Sequence, residues 1–252
     1  MKNQYFSRRK FITATTALAA FSSMSFATNN KPLNAVRTEG SEREGLLPEK
    51  MTVGMVVFEG FQLLDTFGPL EMFGSLRDEV QIVIIGEKKG AVKSSAGPAV
   101  VVEYDFADAP KLDIVMIPGG GGTRREVNNP VFISAFKLLA QATPHVASIC
   151  TGAAVLARTG LLDGVKATTN KRAFKWATSQ GPNVKWIAQA RWVEDGRFFT
   201  SSGISAGTDM ALALIARLFG QDTAVRIANG AEYGWNNDPH HDPFAKLNGL
   251  VD

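Results

Sequence analysis

Four short apolar runs interspersed with helical patterns do most to limit what this chain can fold into. They occupy residues 53–57, 80–85, 114–117 and 145–149. A half-wet strand alternates apolar and polar residues, whereas a run without that alternation belongs to a strand covered on both faces. Helical segments are expected at 68–76, 131–141, 152–159, 172–179, 205–219 and about 222–229. Pro69 should sit at the first position of its helix, Glu71 in its first turn, and Ser205 at the N-cap of the long helix. Shorter strands are expected at 100–103 and 166–168. Residues 192–194 and 198–201 flank Asp195-Gly196, a hairpin signal. Strands alternating with helices indicate an α/β domain around a mostly parallel sheet, a flavodoxin-like three-layer sandwich.

The 252 residues are 45% hydrophobic and 20% charged, enough for a full core in one domain. The formal charge of +3 first suggests an anionic partner. Its location removes that suggestion. Residues 1–27 hold Lys2, Arg8, Arg9 and Lys10 and no acid, which leaves a net −1 for residues 28–252. Nucleic-acid binding is therefore not expected. Ser7-Arg8-Arg9-Lys10-Phe11 precedes a modest apolar stretch ending in Ser25-Phe26-Ala27, the layout of an export signal. The paired arginines resemble a twin-arginine signal, which implies a periplasmic address and passage through that translocation machinery. The stretch is too short to span a bilayer, so stable membrane insertion is not expected. Residues 28–50 carry balanced charges without apolar periodicity and read as a disordered linker. The domain is placed at 51–252.

An exported protein with a single cysteine, Cys150, can form no internal disulfide. That thiol is either inert and buried or kept for chemistry. Its setting favours chemistry. It follows the strand at 145–149 and precedes Thr151-Gly152-Ala153-Ala154, small residues that permit a sharp strand-to-helix turn. This is the pattern of a nucleophile elbow, with sulfur in place of a hydroxyl. Pro118 and the glycines from Gly119 to Gly122 end the preceding strand. The amides of Gly119, Gly120 and Thr151 are expected to form an oxyanion hole. The pattern is neither a phosphate-binding Walker loop nor a dinucleotide fingerprint. Asp65 falls in the turn after the first strand, at the same sheet edge. A carboxyl among Phe and Leu residues should keep a raised pKa and carry a proton, with helix capping as its structural alternative. His145, His240 and His241 lack metal-ligand spacing, and neither a metal nor an organic cofactor is expected.

Several separated segments, in order, resemble the ThiJ/PfpI superfamily within the class I glutamine amidotransferase-like folds. They are Leu64-Asp65-Thr66-Phe67-Gly68-Pro69-Leu70-Glu71, Ile117-Pro118-Gly119-Gly120, Ile149-Cys150-Thr151-Gly152, Gly160-Leu161-Leu162-Asp163-Gly164-Val165-Lys166-Ala167-Thr168-Thr169, and Ser202-Gly203-Ile204-Ser205-Ala206-Gly207-Thr208-Asp209. The resemblance runs from about Met51 to Phe244. It is nearest to the isonitrile hydratase branch and to the sensory domain of certain AraC-type regulators. The hydratase branch implies Cys150, Thr151 and Asp65 as functional residues, a small-molecule substrate and a homodimer. Asn170 and Gly203 are expected at the pocket. Relatives often carry His where this chain has Asn170, a departure that leaves the exact substrate open if that histidine handles substrate. No histidine directly follows Cys150, which disfavours a peptidase. A glyoxalase-type hydration of 2-oxoaldehydes, and redox or ligand sensing without catalysis, are the alternatives. The regulators carry a DNA-binding helix-turn-helix after the domain, and none is expected before Asp252.

Overall fold

The structure is a computed structural model and describes residues 50–252. The expected export signal and nearly all of the expected linker lie outside the described residues. In chain order the elements are β1 (Met51–Val56), α1 (Leu63–Gly74), β2 (Val80–Gly86), β3 (Gly90–Lys93), β4 (Ala99–Val102), β5 (Tyr104–Asp105) and β6 (Ile114–Ile117). Then come α2 (Thr123–Glu126), α3 (Pro130–Ala142), β7 (His145–Ser148), α4 (Gly152–Arg158), β8 (Lys166–Ala167), α5 (Phe174–Ser179) and β9 (Lys185–Trp186). The chain closes with β10 (Trp192–Asp195), β11 (Phe198–Ser201), α6 (Ala206–Phe219), α7 (Gln221–Gly230) and α8 (Pro243–Leu247).

Seven strands form one sheet in the order β10-β11-β7-β6-β1-β2-β5. Every neighbouring pair is parallel except β10 with β11, the hairpin turned by Gly196 at φ 62°. The apolar runs supply its centre: Val53, Met55, Ile114, Ile117, Val146 and Ala147 are all fully buried. From β1 the chain winds outward to β2 and then returns to β6 on the other side of β1. The right-handed crossover rule then puts helices on both faces. α1 packs on α6, and α6 on α7, while α3 packs on α4. The β1–β6 boundary is the point where the winding reverses, and the loops leaving those two strands diverge there. Open α/β sheets bind ligands at that crevice. The β3–β4 hairpin is an excursion outside the sheet. Among the described residues no helix is long and apolar enough to cross a membrane.

Three local expectations need correction. α1 begins at Leu63, not at residue 68, so Pro69 lies inside the helix and Glu71 in its middle. An interior proline costs about 3 kcal/mol. Packing overrides that cost here, because Thr66, Gly68, Leu70, Met72 and Phe73 are buried along one side. Gly68 meets α6 so closely that a Cβ there would sit 2.4 Å from Thr208 Oγ1. Ser205 does flank α6, but its side chain makes no cap. Its Oγ instead accepts a 3.2 Å hydrogen bond from Arg191. The helix at 221–230 is not the last, as expected, but is followed by α8, whose N-cap Asp242 accepts from the Phe244 amide at 3.0 Å.

Candidate active site

Cys150 occupies the turn between β7 and α4 with φ 55°, a left-handed conformation that a β-carbon residue rarely adopts. Such a residue costs of order 1–3 kcal/mol unless its surroundings hold it. They do so here. The Cys150 amide donates to Ser202 O at 3.2 Å, and its carbonyl accepts from Thr169 Oγ1 at 2.8 Å. The segments that follow β11 and β8 thus fix the elbow.

Asp65 is not in a loop. It lies in the first turn of α1, fully buried and not capping the helix, with Oδ2 accepting from the Gly119 amide at 2.8 Å. Its other oxygen, Oδ1, makes no regular hydrogen bond. Burial pushes the Asp65 pKa up to about 7, against smaller downward pulls from the Gly119 amide and the Cys150 thiol. Burial also pushes the Cys150 thiol up, with the Asp65 charge adding to the effect. The Thr151 amide, the Asn170 side-chain amide and the Ile204 amide act the other way on the sulfur. The two acids therefore titrate as a pair. Near neutral pH the carboxyl changes charge while the thiol keeps its proton unless that proton can move to Asp65.

The expected oxyanion hole is rearranged. The Gly119 amide is occupied by Asp65, and the Gly120 amide donates to Thr151 Oγ1 at 3.1 Å. The donors that face the sulfur are the amides of Thr151 and Ile204 and the Asn170 side chain. Gly119 is needed for close approach rather than for donation: a Cβ there would lie 2.6 Å from both Thr151 N and Thr151 Oγ1. Gly120 adopts φ 120°, and the loop is pinned by Gln62 N to Gly119 O at 2.9 Å and Gly122 N to Gly60 O at 3.1 Å. It is a rigid cross-tie between the β1 and β6 loops.

Asn170 and Gly203 meet beside the cysteine. A Cβ at Gly203 would fall 2.0 Å from Asn170 Nδ2. Asn170 Oδ1 accepts from the Ala173 amide at 2.9 Å, which orients its NH2 group. A cavity of about 780 Å³ opens above the elbow, lined by Cys150, Thr151, Asn170, Arg124, Trp176 and Ile204 among others. Cys150 is 6% exposed and lines this cavity. Sequence reasoning brought Cys150, Thr151, Asp65, Asn170 and Gly203 forward. It missed Ile204, Arg124 and Trp176. An Arg-Arg pair one residue beyond a glycine loop was the available signal for Arg124. His240 and His241 are exposed, and among the described residues no cluster of three or more His, Cys, Asp or Glu could hold a metal ion.

Residues 51–217 match the DJ-1/PfpI family. Isonitrile hydratase of Pseudomonas putida is 35% identical over 185 residues, covering 73% of this chain and 78% of that protein. The HTH-type transcriptional regulator GbdR of Pseudomonas aeruginosa is 27% identical, covering 70% of this chain but 49% of the regulator. A ThiJ/PfpI family protein from Pseudomonas syringae has a crystal structure that matches with a TM-score of 0.69 at 26% identity, covering 86% of this chain and 91% of that one.

Proposed function

The chain belongs to the DJ-1/PfpI family, and from that premise we propose that it is a cysteine-dependent hydratase of small electrophiles, with isonitriles as substrates and N-substituted formamides as products. The observation that carries the proposal is the strained elbow thiol of Cys150 beside a buried carboxyl, Asp65, whose pKa stands at about 7. The similarity to isonitrile hydratase supports the substrate class.

In the proposed reaction Cys150 Sγ attacks the terminal isonitrile carbon and its proton passes to Asp65. The S–C bond forms, and Asp65 delivers that proton to the same carbon, giving a covalent thioimidate. Water then adds to the thioimidate carbon. The C–S bond breaks, the thiol regains a proton, and the formamide leaves. No redox step occurs and no cofactor takes part. The Thr151 and Ile204 amides and the Asn170 side chain stabilise negative charge on the sulfur as the leaving thiolate forms.

Purified protein should convert an alkyl isonitrile to its formamide, and Cys150→Ala should abolish turnover. Full activity in Cys150→Ala would end this mechanism. Hydration of 2-oxoaldehydes through a hemithioacetal uses the same thiol and is the substrate alternative. The similarity to GbdR supports a second reading, ligand sensing, which predicts binding without turnover. We further propose export to the periplasm by the twin-arginine route, a reading supported by Arg8-Arg9-Lys10-Phe11 in the sequence, and a homodimer, as the family resemblance implies.

A further inference from the structure

The wall of the cavity over Cys150 is lopsided in charge. Arg124, Lys171, Arg172 and Lys175 all line it, and no Asp or Glu does. Residues 51–252 carry a net −1, so this concentration of cations is local. Among the described residues, Arg124, Arg172 and Lys175 take part in no ion pair. Lys171 is buried and held by Thr168 Oγ1 at 2.7 Å and Ala190 O at 2.5 Å, so it contributes field rather than contact.

Arg124 is held in place. Its guanidinium lies 3.9 Å over the Trp176 ring and donates to Thr123 Oγ1 at 3.3 Å. Thr123 Oγ1 in turn lies 3.2 Å from Thr151 Oγ1, next to the elbow. Stacking on an aromatic face leaves guanidinium edges free for a planar, bidentate acceptor such as a carboxylate. Unpaired cations around a partly enclosed cavity concentrate small anions. Trp176, Ile204 and Leu250 add apolar wall for the body of a ligand.

We propose that this cavity selects carboxylate-bearing substrates, with the electrophilic carbon at Cys150 Sγ and the carboxylate at Arg124, Arg172 and Lys175. The inference rests on Cys150 being the nucleophile and names the substrate class of that site.

Alkylation of Cys150, the sole cysteine, tests it without requiring hydratase activity. Iodoacetate and iodoacetamide both form an S–C bond as iodide leaves and the thiol proton passes through Asp65 to solvent, and they differ in charge. The rate ratio of iodoacetate to iodoacetamide on the folded full-length protein is divided by the same ratio on the urea-unfolded chain. That quotient should exceed about tenfold at low salt and fall as salt is raised. Arg124→Gln and Lys175→Gln should each lower it several-fold, while Arg226→Gln, which removes one charge from α7, should leave it unchanged. A quotient near one, or an equal loss in Arg226→Gln, overturns the inference. An anion preference without isonitrile turnover rejects the hydratase reading alone. Turnover of isonitriles without anion preference rejects the substrate class alone. A folded Cys150 that resists both reagents rejects both.

Discussion

Asp65 and Asp209 are both fully buried carboxylates, in the first turns of α1 and α6, two helices that pack on each other. Burial raises the pKa of both. Their partners differ. Asp209 Oδ2 accepts from Arg191 Nε at 2.7 Å, and Oδ1 accepts from the Tyr233 hydroxyl at 3.0 Å and the Asn236 amide at 3.1 Å. Asp65 has one backbone donor and an oxygen left over. A buried charge that is paired and hydrogen-bonded holds elements together, here α6, the residue leading into β10 and the segment around residue 235. A buried carboxyl with a missing partner keeps its proton to near neutral pH instead, and once ionised it can take the proton of a neighbouring thiol. The contrast separates a structural acid from a reactive one within the same helix layer.

Swapping each acid for its amide should give opposite results. Asp65→Asn should lower kcat/KM by about 10²–10⁴-fold, the usual worth of a positioned proton carrier. It should leave the fold intact, because an amide oxygen can still accept from Gly119. It should also alter stability with pH. Between the ordinary pKa of 3.8 and about 7 the folded protein holds a proton on Asp65 that the unfolded chain has released. Stability therefore falls as pH rises through that window, and Asp65→Asn should remove this share of the fall. Asp209→Asn should instead cost about 3–5 kcal/mol in urea unfolding, because Arg191 keeps a buried charge without its partner. Comparable losses of stability in the two variants would erase the distinction. Gly203→Ala is a smaller probe of the reactive side. Its Cβ must displace Asn170 Nδ2 from the sulfur, and kcat/KM should drop about tenfold, the cost of roughly one weakened hydrogen bond to charge. An unchanged rate would remove Asn170 from the site.

Much of the reactive region was legible in the sequence because its signals are local. The unalternating strand ending at Ile149, then Cys150-Thr151-Gly152, specifies an elbow by residue size alone, and the φ of 55° agrees with it. The central strands read correctly for the same reason. Features that depend on crossing between distant segments did not. Pro69 looks like a helix start, and only the packing of Gly68 on Thr208 shows why the helix runs through it. The glycine amides looked free, yet which way an amide points depends on Asp65 and Thr151, 54 and 31 residues away. Ile204 reaches the sulfur with its backbone, which no side-chain pattern announces. Arg124 and Trp176 stack between two short helices, α2 and α5, that are far apart in the chain.

The central claim is that Cys150 and Asp65 share a proton. The direct test is the pH dependence of Cys150 alkylation by neutral iodoacetamide, in the wild type and in Asp65→Asn. The wild-type rate should rise with an apparent pKa of about 7, as Asp65 becomes able to take the thiol proton. In Asp65→Asn that inflection should vanish, leaving only the later rise of a buried thiol. An inflection near 7 that survives in Asp65→Asn would contradict the account.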